Sequence, residues 1–271
     1  MSEKDTPTII VSSSSESINS CGQVASMSVI GSRSVQQDAI AVETMPDGLL
    51  AMICDGMGGM EGGEKASEIA VRILRDSFRL KTEQEPITDF FMRMSKTMDQ
   101  AVTEIKENGR RLRAGTTVIA VISKGRQLYW MSIGDSRLYI KRGGEMLCPV
   151  KSHNYREYLN NLLLSQRITE EIYGREILKG EALTAYLGMG EIRQMEVNLY
   201  PFIMEPGDQI LLCSDGLYRS ISDHQIEMVL DREEDISWKV SCLIDMAVTA
   251  GGNRQDNTSI ILYQYAGTIN I

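Results

Sequence analysis

Two stretches far apart in the chain share one design. Asp47-Gly-Leu-Leu-Ala-Met-Ile-Cys-Asp55-Gly56 and Gly207-Asp-Gln-Ile-Leu-Leu-Cys-Ser-Asp215-Gly216 each run an apolar strand up to an aspartate followed by glycine. Such a segment fixes a carboxylate at a strand exit. The glycine lets the chain turn there and brings the backbone close to whatever the aspartate binds. Three more acidic turns join them: Ile133-Gly134-Asp135-Ser136-Arg137 between two strands, Arg254-Gln255-Asp256-Asn257 before the last strand, and Gln37-Asp38 opening an early one. One Asp-Gly after a strand is ordinarily a hairpin turn, because both residues suit its dihedrals. Five acidic turns in one chain are harder to assign to turn chemistry alone.

The remaining pattern is a mixed one. Short apolar or alternating runs at about 22–30, 38–45, 48–54, 115–123, 127–133, 137–142, 195–204, 208–214 and 257–264 read as strands. Helical spacing places Ala66, Ala70, Ile73 and Leu74 on one face of a helix over about 64–80. Ile87, Phe90, Phe91, Met94, Met98, Ala101, Val102 and Ile105 form the stripe of a second helix ending near Gly109, and this Met and Phe stripe is core. A third helix, about 235–250, is ended by Gly251 and Gly252. The order lacks the regular alternation of a parallel doubly wound sheet. It predicts an α+β fold, with two antiparallel sheets faced by helices. Residues 1–20, with the run Ser12 to Ser15, read as a flexible lead, and 21–271 as one domain. Weak helical patterns at Tyr155 to Leu164 and Thr169 to Leu178 mark a flap-like insertion at about 150–190, of the kind that often covers a site.

If the carboxylates converge, their repulsion at about 4 Å costs several kcal/mol at intermediate dielectric unless cations neutralise it. Ligands that are all oxygen, without clustered His or Cys, select hard ions, Mg²⁺ or Mn²⁺. Two such ions can activate a water against a phosphoester. The Gly-rich run Asp55 to Lys65 lacks the Gly-Lys-Ser/Thr ending of a P-loop and the third glycine of a dinucleotide fingerprint. A net charge of -9 argues against a general nucleic-acid binder. Five scattered cysteines, with no paired spacing, fit free thiols in a reducing cytosol. No secretory signal or membrane anchor is visible at the start of the sequence, so a cytoplasmic enzyme is expected.

The ordered motifs Gly31-Ser-Arg33-Ser-Val-Gln-Gln37-Asp38, Asp55-Gly-Met-Gly-Gly59, Gly115-Thr-Thr117, Gly134-Asp135-Ser-Arg137, Leu183-Thr184 with Leu187-Gly188, Cys213-Ser-Asp215-Gly216-Leu217 and Asp256-Asn257 resemble the metal-dependent protein phosphatases. This family is also called protein phosphatase type 2C, and the likeness is to its bacterial branch. The resemblance implies a four-layer α-β-β-α sandwich with a dinuclear Mn²⁺ or Mg²⁺ site at one end. In that likeness Asp55 bridges the metals, the Gly56 carbonyl holds one of them, Asp215 and Asp256 complete the shell, and Asp38 acts through a water. Asp135 would serve a weaker third ion. Arg33 matches the phosphate-binding arginine, whose planar fork pairs two phosphate oxygens at once.

The implied activity is hydrolysis of phosphoserine or phosphothreonine by a monomer. Its partners would be phosphorylated proteins, among them a Ser/Thr kinase or its targets, with neither nucleic acid nor membrane involved. Met57 departs from the pattern, standing where many eukaryotic members carry a histidine that can protonate the leaving alkoxide. Neither His153 nor His224 is expected to be catalytic, and His153 is placed nearer the site. The alternatives are a catalytically inactive module or scaffold, and a phosphatase restricted to one partner, such as a phosphorylated anti-sigma antagonist.

Overall fold

The computed structural model describes residues 11–19, 21–57 and 62–267. The chain opens with strands β1 (Val11–Asn19), β2 (Gly22–Val29), β3 (Asp38–Met45) and β4 (Gly48–Met57), then helices α1 (Gly63–Arg79) and α2 (Ile87–Thr103). Three two-residue strands follow, β5 (Lys106–Glu107), β6 (Arg110–Arg111) and β7 (Gly115–Thr116). Next come β8 (Val118–Lys124), β9 (Gln127–Ile133), β10 (Arg137–Arg142) and β11 (Glu145–Leu147), and then α3 (Tyr155–Leu164) and α4 (Glu170–Glu176). The chain continues with β12 (Glu196–Val197), β13 (Phe202–Ile203), β14 (Gln209–Cys213), α5 (Asp215–Tyr218), α6 (Asp223–Leu230), α7 (Ile236–Gly251) and β15 (Thr258–Tyr265).

One antiparallel sheet runs β1-β2-β15-β14-β10-β11, and the other runs β12-β9-β8-β4-β3 with β13 and β7 on its margins. The central strands are buried on both faces, and residue parity decides which core each side chain joins. In β4, Leu50, Met52 and Cys54 pack toward α1 and α2, while Leu49, Ala51 and Ile53 pack between the sheets. In β14, Leu211 and Cys213 meet the α5–α7 side, while Ile210 and Leu212 face the other sheet. Three apolar interfaces make four layers, helix, sheet, sheet, helix. Because both faces of these strands are covered, their sequences read as continuous apolar runs rather than alternating ones.

Several expectations change in detail. Over Val11–Asn19 the expected flexible lead is a strand that pairs with β2 along its length, supplying hydrogen bonds to what would otherwise be an open sheet edge. Residues 1–10 and 20 lie outside the described residues. The expected strand 115–123 is broken at Thr117, whose backbone and side chain turn to Asp55. The expected strand 195–204 survives as β12 and β13 only. Between them the Asn198 side chain accepts from Trp130 N and donates to the Leu128 carbonyl, replacing ladder bonds, and Pro201 has no N–H to offer. Helix α2 stops at Thr103, and Gly109 belongs instead to an Asn108-Gly109 hairpin turn with φ of 49° and 79°.

Candidate metal centre

Asp38 and Asp55 sit directly opposite each other on β3 and β4. Like charges so placed are destabilising unless something compensates them. Asp55 continues the parity of Leu49, Ala51 and Ile53, so it stands on the inter-sheet face, beyond the end of the apolar core. The Gly115-Thr-Thr117 motif clamps its backbone. Asp55 N–H donates to Thr117 Oγ1 at 3.0 Å, and its carbonyl accepts from Thr117 N at 2.8 Å and from Thr116 Oγ1 at 3.0 Å. A Cβ on Gly56 would lie 2.1 Å from the Gly63 carbonyl oxygen and 2.7 Å from that of Gln37, so only glycine fits there.

The other carboxylates arrive from three further segments. Asp215 begins α5 immediately after β14, and Asp135 lies in the β9–β10 turn. That turn is fastened by His153, whose Nδ1 accepts from Gly134 N at 3.0 Å while His153 N–H donates to the Gly134 carbonyl at 2.8 Å. Burial holds the His153 imidazole down at about 4, hence neutral, as an acceptor in this arrangement must be. Asp256 precedes β15. Its neighbour Asn257 ties the Arg33 loop to the site, donating to the carbonyls of Ile30 and Val35 and accepting from Gln37 N. Gly31, with φ of 63°, passes so close that a Cβ would sit 2.4 Å from the Asp256 carbonyl oxygen.

These residues surround one cleft of about 620 Å³. Asp55, Gly56, Asp135, Asp215 and Asp256 line it, as do Arg33, Met57 and Thr117 and, from the chain after α4, Glu181, Ala182 and Leu183. Asp38 is not on the cleft wall. It is buried behind Asp55, where Ser214 Oγ donates to its Oδ2 at 2.7 Å. His224 is exposed on α6. Gly58, Gly59, Met60 and Glu61 of the glycine-rich run lie outside the described residues.

Electrostatics set this cleft apart from the rest of the molecule. Burial, reinforced by Asp38, Asp215, Asp135 and Asp256, lifts the Asp55 carboxyl well above the usual range. Burial also lifts Asp38 to about 6 and Asp215 to about 7. Asp135 rises for the same reason, against the pull of Arg219. Carboxylic acids this hard to ionise are the mark of a site built to share its charge with a cation.

The donor set fits hard divalent ions. It is all oxygen, and Asp38 Oδ1 is buried with no hydrogen-bond partner among the described residues. Among those residues no three acidic, His or Cys side chains are drawn into a finished ligand cage. Two arginines pair with these carboxylates instead. Arg33 Nη2 meets Asp256 Oδ2 at 2.6 Å. Arg219, four residues after Asp215, reaches Asp135, Asp215 and Glu181. Arg219 and Glu181 were not singled out in the sequence. The one signal for Arg219 was its i+4 spacing from Asp215 across a helix.

The class defined by this fold and cleft is that of the metal-dependent phosphatases, and comparison with known proteins agrees. The protein phosphatase 2C family model matches residues 27–240. The chain belongs to that family. It is 29% identical over 219 residues to the serine/threonine phosphatase stp of Listeria innocua, covering 79% of this chain and 84% of that one. The structure of the Streptococcus agalactiae serine/threonine phosphatase superposes with a TM-score of 0.77 at 28% identity, covering 89% of this chain and 98% of the other. The catalytic domain of the serine/threonine protein phosphatase PstP, solved with two manganese ions, superposes with a TM-score of 0.72 at 25% identity, covering 90% and 97%.

Proposed function

We propose that this protein hydrolyses phosphoserine and phosphothreonine in proteins, using two divalent cations, Mn²⁺ or Mg²⁺. Asp55, the Gly56 carbonyl, Asp215 and Asp256 would hold them, with Asp38 acting through water. The observation that carries this reading is the convergence of raised carboxyls from separate segments on one cleft, with Arg33 at its edge. Bound there, the cations supply Lewis-acid activation of water and neutralise charge on the phosphoryl group.

The chain's own groups do the rest. Arg33 is more than half exposed and can swing its guanidinium from Asp256 onto two phosphoryl oxygens. Ser214 Oγ donates to Asp38 Oδ2, while Oδ1, which has no hydrogen-bond partner among the described residues, can accept a proton or orient water. Met57 lines the cleft and offers no proton, so no side-chain acid stands at that position. Phosphoprotein substrates, including a kinase or its targets, fit the open cleft. A cytoplasmic location fits cysteines that form no disulfide among the described residues. No helix among the described residues is long and apolar enough to cross a membrane. The inactive-module alternative has no support in the ligand positions, where every expected carboxylate is present.

Purified protein should release phosphate from a phosphothreonine peptide with Mn²⁺ or Mg²⁺ and lose that activity on chelation. Undiminished activity after metal removal would reject the proposal. Arg33→Ala should raise KM for the peptide roughly tenfold to a hundredfold, the worth of a charged hydrogen-bonding pair. Its stability should change by no more than about 0.5 kcal/mol, because its ion pair is solvent-exposed. An unaltered KM with reduced kcat would contradict the phosphate-binding role.

A further inference from the structure

Arg219 caps the C-terminal end of the short helix α5, and its guanidinium is the common partner of three carboxylates from three parts of the chain. Nη2 lies 2.9 Å from Asp135 Oδ2 and 3.1 Å from Glu181 Oε2, and Nη1 lies 3.1 Å from Asp215 Oδ2. Asp135 is almost wholly buried, and its side-chain oxygen faces this guanidinium. Glu181 is shared in turn with Arg156, whose Nη2 reaches Oε1 at 2.6 Å. Although Arg219 is partly open to solvent, its guanidinium is tied down on both nitrogens by these carboxylates. It is held in a fork by the same oxygens that a cation between Asp135 and Asp215 would need.

We propose that Arg219 is a tethered cation standing in for a third metal ion at Asp135, so that this phosphatase binds two divalent ions and no more. A guanidinium suits the task. It remains protonated throughout the physiological range, its planar donors pair two carboxylates at once, and it is weakly hydrated compared with an ammonium. A divalent ion placed on Asp135 would have to displace Arg219 from Asp135 and would remain beside a fixed positive charge. The covalent link makes the local concentration of the guanidinium far higher than that of free Mn²⁺, which favours the arginine without requiring any special affinity. Asp135 thereby becomes a positioning residue, holding Arg219 against Asp215 rather than binding metal.

This inference rests on the two-cation reading above, and the test separates the two. Full-length protein is titrated with Mn²⁺ up to millimolar concentration, and free ion is counted by its electron paramagnetic resonance signal. Wild type is expected to saturate at two ions per chain, Arg219→Ala at three, and Arg219→Ala combined with Asp135→Asn at two again. Three ions in wild type, or two in Arg219→Ala, overturns the proposal while leaving the phosphatase reading intact. No ion bound by wild type overturns both. Should Arg219→Ala fail to fold, Asp135→Asn alone decides the matter. Its count should stay at two, and a lower count would show that Asp135 ligates metal and that the proposal is wrong.

Discussion

Asp55→Asn is expected to lower phosphatase turnover by roughly a hundredfold or more, while the metal-free variant melts at a higher temperature than its parent. The first effect follows from position, because Asp55 is the cleft carboxylate that the four other aspartates surround electrostatically. Residues that merely orient a metal ligand already cost 10–100-fold when replaced, so a shared ligand should cost at least as much. The second effect has the opposite sign. In the metal-free chain Asp55 is half-buried opposite the buried Asp38, and an amide removes that repulsion while preserving the volume and the backbone clamp made by Thr116 and Thr117. Turnover at saturating Mn²⁺ and thermal unfolding in chelator measure the two halves separately. Retention of more than about a tenth of parental turnover, a loss under 1.4 kcal/mol, would argue against direct ligation. A lower melting temperature would argue that Asp55 is not electrostatically strained.

That trade is characteristic of a site whose local preferences conflict with the fold around it. It also explains what could be read in the sequence. The strand exits at Asp55 and Asp215 were legible because an apolar run ending in Asp-Gly has few other uses, and the sandwich was legible because long apolar strands and helical stripes alternate irregularly. The strand β1 was not legible. Its serine-rich sequence carries little apolar pattern, and its order comes from backbone pairing with β2. The breaks at Thr117 and Asn198 were hidden because both residues leave the ladder to make side-chain bonds to distant segments. Arg219 was hidden for a related reason. Its partners Asp135 and Glu181 lie far away in sequence, and only Asp215, one turn of helix earlier, was visible as a neighbour. His153 was placed near the site by its sequence context, yet its work, holding the Gly134 turn that presents Asp135, depends on a contact between chain segments.

The same strained carboxyls make metal-free stability depend on pH. Protein in chelator is expected to melt on the order of 5 °C lower at pH 7.5 than at pH 5.5, with Mn²⁺ reversing most of that loss. Asp38 and Asp215 titrate at about 6 and about 7 in the fold, above the ordinary carboxylate value they regain on unfolding. For acids raised in this way, the folded state binds more protons than the unfolded state between roughly pH 4 and pH 7, so stability falls as pH rises through that window. Asp55 adds to the slope in the same sense, while Arg219 moderates it at Asp215. His153 opposes it. Held neutral at about 4, it contributes stability that grows as pH rises toward the ordinary histidine value, so the net fall is smaller than the aspartates alone would give. Divalent ions bind the ionised carboxylates, and their stabilisation should be larger at pH 7.5 than at 5.5. Asp215→Asn should flatten the chelator profile and weaken the Mn²⁺ response together. A melting temperature that rises between these two pH values in chelator, or equal Mn²⁺ stabilisation at both, would mean that the carboxyls do not share one electrostatic site.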